Sequence, residues 1–284
     1  MIVRTDAVVL HAFDYGETSR IVRLLTRQHG TIGVIARGAR RPTSQFGSAL
    51  QPMSYVQAVY YHRPQRGLQT LKEASHVVRW RRLGTDLDRV TLGLRVVEIT
   101  RALLEEGEAH PLAVNLVTQT LDFVDESDDR PANALPWFQL RLAALLGFAP
   151  DVQRDDVLAL GDDGGRLLLQ SGAVVAAGAD ASERGLLSSG EGVRASRPAL
   201  RAFAVFARTD LPTAGRMRLD DATRREVEAL ADAYLRVHTE SSYPERVRQV
   251  SDQIDEGLAA ARADAAPPPG AGRGGAEPGR GGGH

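Results

Sequence analysis

The apolar residues change their spacing once, near Leu83, and that change constrains the fold more than any other feature of the chain. Before it they alternate. Val3 to Leu10, Arg20 to Thr26, Thr31 to Arg37, Met53 to His62 and Gly67 to Ala74 each read as a short strand, punctuated by Gly16, Gly30, Gly38, Pro42, Pro52 and Pro64. After it, Leu83, Leu87, Val90, Leu94, Val97 and Leu104 recur three, four or seven positions apart. That is the stripe of an amphipathic helix, closed near Gly107. Two architectures therefore stand in series, with the boundary between residues 82 and 83.

Five short strands with turns at regular intervals predict a small closed barrel over residues 1–82, of the OB-fold kind that commonly presents one face to oligonucleotides. Residues 83–245 predict an α-helical domain. Pro111 to Glu126 gives its second helix, SDDRPANA interrupts the pattern, and Pro136 to Gly147 gives the third, with Gly147 as C-cap. Pro198 to Arg208 and Asp220 to His238 return to helical spacing. Within 152–197, Val157 to Leu160 and Arg166 to Leu169 flank GDDGG and predict a hairpin insertion, followed by a loose connection of small residues. Residues 264–284 are mostly Ala, Pro, Gly and Arg, which cannot bury enough surface to offset ordering, and predict a disordered tail. The expected class is α+β with two domains.

Charge divides at the same place. Residues 1–82 hold thirteen Lys or Arg against four Asp or Glu, a net +9, and the whole chain is −1, which leaves −10 for the remainder. A basic module joined to an acidic one suits a polyanion-binding domain attached to a part that does not bind polyanion. Codon preference explains Arg in place of Lys but not the segregation.

The densest basic cluster is Arg37-Gly38-Ala39-Arg40-Arg41, at a predicted strand end where guanidinium groups can hold phosphates in a bidentate fashion. Arg20, Arg23, Arg63 and Arg66 lie in the same module and join it as candidate DNA contacts. The alternative for such a cluster is a charged edge that discourages sheet-to-sheet pairing. Phe13, Tyr15, Phe46, Tyr55, Tyr60, Tyr61 and His62 interleave with the charge, and rings of this kind stack on bases without regard to sequence. Tyr60 and Tyr61 are adjacent and must face opposite sides of a strand, so Tyr61 is the stacking candidate if Tyr60 is core.

Several classes of function find no support. The chain has no cysteine, and its seven histidines lack ligand spacing, so no structural metal or other cofactor is expected. Its only lysine, Lys72, follows no glycine-rich loop, and neither G-x-S-x-G nor H-E-x-x-H occurs. No catalytic residue is assigned and no enzyme is expected. MIVRTDAVVLHAFDYG does not read as a signal peptide, and no apolar run approaches the roughly 20 residues of a membrane span. The expectation is a cytoplasmic protein with no membrane partner.

Three segments, DYGETSRIVRLLTRQHGTI, VIARGARRPTSQFGSALQPM and, at the proper distance, WFQLRLAALLGFAP, resemble the RecO family of bacterial DNA repair proteins. The resemblance covers roughly residues 1–150, is weaker through about 240 and is absent from the tail. It implies an OB-fold followed by a helical domain, binding to single- and double-stranded DNA, and annealing of complementary strands at the nucleoid. It also implies partners: RecR, the C-terminal tail of single-stranded-DNA-binding protein, and the RecA loading pathway. By motif position Arg20, Arg23, Arg37, Arg40 and Arg41 fall in the family's basic OB segments. Many relatives carry four zinc-binding cysteines after the GFAP-like segment, and here there are none, so the predicted hairpin would stand in for a metal-held module.

For an acidic partner tail, Arg95, Arg101 and Arg141 on the predicted helices are the candidate contacts, with ordinary i,i+4 pairing such as Arg101 with Glu105 as the alternative for each. Two other readings of the chain stay open. One is a generic OB-fold single-strand binder without mediator activity; the other is a scaffold whose basic face binds an acidic protein.

Overall fold

The computed structural model describes residues 1–128, 130–177 and 192–239, all within one compact unit, Met1–Val247. The alternating segments form five strands: β1 (Ile2–Tyr15), β2 (Ser19–Thr26), β3 (Gly30–Ala36), β4 (Tyr55–Tyr61) and β5 (Leu68–His76). They close into a barrel in the order β1-β2-β3-β5-β4. All pairings are antiparallel except the β3–β5 seam, where Gly33, Val34 and Ile35 lie opposite Leu68, Gln69 and Thr70 in parallel. This is the OB-fold that the turn spacing predicts. Val3, Val9, Val22, Leu24, Val34, Val56, Ala58 and Tyr60 fill its interior.

β1 is long because it serves two neighbours. Its first half pairs with β4 and its second with β2, and a bulge between Val9 and His11 bends it between them. The extra residue also reverses the facing of the strand. Val3, Ala7 and Val9 point into the barrel, whereas His11, Phe13 and Tyr15 face outward, Phe13 and Tyr15 both exposed. The outer face of the barrel is not all solvated. Val8, Leu10 and Leu25 are buried in the core of the helical region, which explains why residues 7–10 are buried without alternation.

The helical region begins with α1 (Leu87–Leu103), whose N-cap Asp86 accepts hydrogen bonds from the backbone N–H groups of Asp88 and Arg89. α2 (Pro111–Glu126) starts on a proline, which gives up only an N–H the first turn would leave unpaired. α3 (Ala134–Leu145) is buried along most of its length and is the central element, and Gly147 at φ +93° stops it in the left-handed region. Arg89 is 3% exposed and donates to the carbonyls of Val124, Asp125 and Ser127. One guanidinium thus satisfies the C-terminal carbonyls of α2 that the helix cannot pair itself.

Residues 152–197 depart from the expected hairpin. Arg154–Leu158 is a short helix, α4, in place of a strand, with Asp155 and Asp156 in its first turn, where acidic residues suit the helix dipole. GDDGG closes a single bridge between Gly161 and Gly164. The strands are β6 (Gly165–Leu168), β7 (Val174–Ala176) and β8 (Gly192–Ala195), in the order β7-β6-β8. The hairpin is therefore β6–β7, one element later than predicted, and part of the loose connection, 178–191, lies outside the described residues, as does the 264–284 tail. α5 (Arg197–Arg208), α6 (Leu211–Gly215) and α7 (Asp221–His238) complete the order; α6, which the sequence reading passed over, opens on an N-cap, Asp210, that accepts from the Thr213 N–H, with Pro212 in its first turn. Among the described residues no helix is long and apolar enough to cross a membrane.

Candidate nucleic-acid interface

On the outer face of the barrel, two hollows lie either side of Leu68. The first, about 290 Å³, is lined by Arg37, Tyr61, Arg63, Arg66, Leu68, Gln69 and Thr70. The second, about 240 Å³, runs past Leu68, Gly33, Phe13 and Ile21 to Arg23 and Arg101. A Cβ on Gly33 would stand 3.3 Å from Leu68 Cδ1, so glycine at this point of the parallel seam lets Leu68 settle into the sheet. Together they make a groove in which each half holds arginines and one exposed ring, Tyr61 in the first and Phe13 in the second.

The loop between β4 and β5, residues 62–67, carries Arg63 and Arg66, and buried Gln69 holds it. Gln69 Oε1 accepts from the Arg63 N–H at 2.8 Å, while Nε2 donates to the Arg63 and Arg66 carbonyls at 3.1 and 2.5 Å. The backbone is fixed and the guanidinium groups are left outside. Arg37, Arg41, Arg63 and Arg66 are exposed and have no ion-pair partner among the described residues. Tyr60 is fully buried, its phenol pushed up to about 12 by burial, whereas Tyr61 is 43% exposed beside Arg37 and Arg63.

Arg20, Arg23 and Arg40, by contrast, are committed within the fold. Arg40 donates to the Gly16 and Glu17 carbonyls at 3.0 and 3.2 Å and pairs with Asp14 at 3.1 Å, which ties the 37–41 turn to the β1–β2 turn. Arg20 bonds the same carboxylate at 2.9 Å. Asp14 is held below the usual carboxylate range by its hydrogen bond from Arg20, with the Arg40 charge adding to it. Arg23 pairs with Glu106, from the loop after α1. Burial and then the Arg101 charge lower the Arg23 guanidinium from its ordinary value.

A guanidinium without an acidic partner keeps its hydrogen-bond donors free for an anionic ligand, and Arg37, Arg63 and Arg66 stand together beside the exposed Tyr61 ring. The chain matches the family model "Recombination protein O N terminal" over residues 1–91 and "Recombination protein O C terminal" over residues 84–246. It is also 48% identical to the DNA repair protein RecO of Salinibacter ruber over 254 residues, which is 89% of this chain and 95% of that one. The chain belongs to the RecO family of DNA repair proteins. More distant RecO proteins align over nearly the same span. That of Exiguobacterium sibiricum is 28% identical over 89% of this chain and 98% of its own. That of Symbiobacterium thermophilum is 30% identical over 83% and 91%.

Family membership raises the question of zinc. The segment after Pro150 offers no thiolate, and it buries Val157, Leu160, Leu167, Leu169 and Val174 instead. The donor set that a structural zinc needs is missing, and apolar packing occupies its place.

The helical arginines proposed as partner contacts are engaged inside this RecO fold. Arg95 on α1 reaches Glu228 and Asp232 on α7 at 3.7 and 3.6 Å and is largely buried. Arg141 donates to the Thr209 carbonyl at the end of α5 and lies over the Trp137 ring. Arg101 pairs with Glu98, one turn back, and not with Glu105. Sequence reasoning named Phe13 and Tyr15 only within the general set of aromatics and passed over Leu68, Gln69 and Glu106. The first two were hidden by the β1 bulge, which no local signal marks.

Proposed function

We propose that the barrel groove holds the phosphate backbone of single- and double-stranded DNA and that this RecO-family protein anneals complementary strands. With RecR it helps load RecA onto DNA coated by single-stranded-DNA-binding protein, whose acidic C-terminal tail is a further partner. The observation that supports the reading best is the set of Arg37, Arg63 and Arg66 around Tyr61, exposed and without acidic partners among the described residues. Arg41 extends it along the 37–41 turn, and Phe13 and Tyr15 supply stacking surface at the far end. Arg20 and Arg40 position the turns, and Arg95 and Arg141 belong to the fold; no residue is assigned to the protein partners.

The mechanism is electrostatic. Each phosphate neutralised by Arg releases condensed counterions, so binding is steeply salt-dependent and nearly indifferent to sequence. Two strands gathered on one positive surface repel each other less and meet more often, while base pairing selects the complement. No bond is made or broken, so no catalytic group is required. Such a protein works at the nucleoid.

The test is annealing of complementary strands already coated with single-stranded-DNA-binding protein, with and without RecR. The wild-type protein is expected to accelerate it, and the triple variant R37A/R63A/R66A to lose most of that acceleration. A wild-type protein that binds bare strands yet leaves coated ones unannealed would be a generic single-strand binder.

A further inference from the structure

The second hollow of the groove has the makings of another phosphate site, already filled by the protein itself. Arg23 and Arg101 both line it, close enough for the charge on one to weaken the proton affinity of the other. Two like charges in a partly desolvated hollow need anions. Glu98 and Glu106 provide them, and the two carboxylates are held very differently. Glu98 sits within α1, 12% exposed, and takes both Arg101 Nε and Nη2 on Oε2 at 3.0 and 2.6 Å. Glu106 pairs with Arg23 from a loop, with its side chain 60% exposed.

The backbone beneath Glu106 is anchored. It forms a parallel bridge with Thr31, the Gly107 N–H donates to the Thr31 carbonyl at 3.0 Å, and the next turn of the loop presses so closely on Gly30 that any Cβ there would strike the Glu108 backbone. Only the Glu106 side chain has to swing for Arg23 to become free. Exposed ion pairs of this kind are weak, and an incoming phosphodiester can outcompete one by accepting from Arg23 and feeling Arg101 as well.

We propose that Glu106 is a removable occupant of a second phosphate site formed by Arg23 and Arg101, and that a DNA backbone entering the groove displaces it. The proposal rests on the reading of the groove as a nucleic-acid surface. It makes the path continuous from Arg37 and Arg63, past Leu68, to Arg23. It also makes Glu106 a brake on weak ligands, since a strand must engage the first hollow firmly before it gains the second.

The test measures binding of the full chain to a labelled oligothymidylate across a salt series, for wild type, E106Q, R23A, R23A/E106Q and R37A/R63A. E106Q is expected to tighten binding about threefold to fivefold, the equivalent of the ion pair that no longer has to be broken. It should also steepen the salt slope by up to about 0.7, one added phosphate contact on a single strand. In the R23A background the same substitution should do almost nothing. Equal tightening in both backgrounds would mean that Glu106 acts only through net charge, and the proposal fails. Unchanged affinity in E106Q alongside weakened binding in R37A/R63A would remove the brake and leave the groove. Unchanged affinity in both would remove the groove reading as well.

Discussion

The arginines buried in the helical region and those left exposed on the barrel face play opposite parts. In the helical region Arg89 caps α2, Arg95 joins α1 to α7 and Arg141 closes the end of α5. On the barrel face, Arg37, Arg41, Arg63 and Arg66 stand outside with no carboxylate beside them among the described residues. A buried guanidinium is tolerable only when acceptors surround it, whereas an exposed one without a partner keeps its full field for a ligand. Pairing, and not charge count, marks the arginines that build the fold.

The comparison breaks first at Arg89. Arg89→Ala leaves the carbonyls of Val124, Asp125 and Ser127 at the end of α2 without their donor and should cost about 3 kcal/mol of stability, read from urea unfolding. A loss within about 0.5 kcal/mol would make Arg89 a surface residue in all but position. Arg40 tests the boundary inside the barrel. Arg40→Ala should lose about 1 kcal/mol of stability through the β1–β2 turn, while Arg37→Ala, at a residue that is also exposed, should lose none measurable.

A finer test asks whether the cations need their scaffold. Gln69→Ala keeps every charge and frees the β4–β5 loop, and should weaken DNA binding about threefold at constant salt slope, because the arginines are equal in number but less well placed. The smallest effect expected is with pH. Burial, and then the neighbouring His62, lower His29 below its ordinary 6.5. The unfolded chain therefore binds more protons just below that value, and stability must fall as pH drops through it toward the folded pKa. His11 and His76 are lowered too, by burial first, and act in the same direction. Melting temperature should be lower at pH 5.5 than at 7.5, and His29→Gln should flatten part of that difference.

Much of this architecture is legible in the sequence because the barrel interior is filled by alternation and the helices recur at helical spacing, but the stripe read for α1 is not its buried face: Leu87 is exposed, Val90 and Leu94 are half-buried, and Leu92, Val96, Ile99 and Leu103 pack inward instead. β2, β3 and α2 sit where their patterns place them. Val157–Leu160 misleads because a four-residue apolar run carries no period, and the decisive signal was the Asp155-Asp156 pair that opens α4. The site is less legible than the fold. Arg20, Arg23, Arg37 and Arg40 look alike in a sequence, yet three of them meet carboxylates, at Asp14 or Glu106, while Arg37 does not. The pairing of Arg23 depends on a loop more than 80 positions away, and the exposure of Phe13 on one inserted residue in β1.

The unpaired arginines of the β4–β5 loop and the β3 end, on this account, carry the phosphate contacts. The most direct test is the salt dependence of single-stranded DNA binding by R37A/R63A/R66A against wild type, with urea unfolding of both as control. The prediction is a salt slope shallower by about 2, as three phosphates go without a guanidinium partner, with stability unchanged. An unchanged slope in a folded triple variant would contradict it.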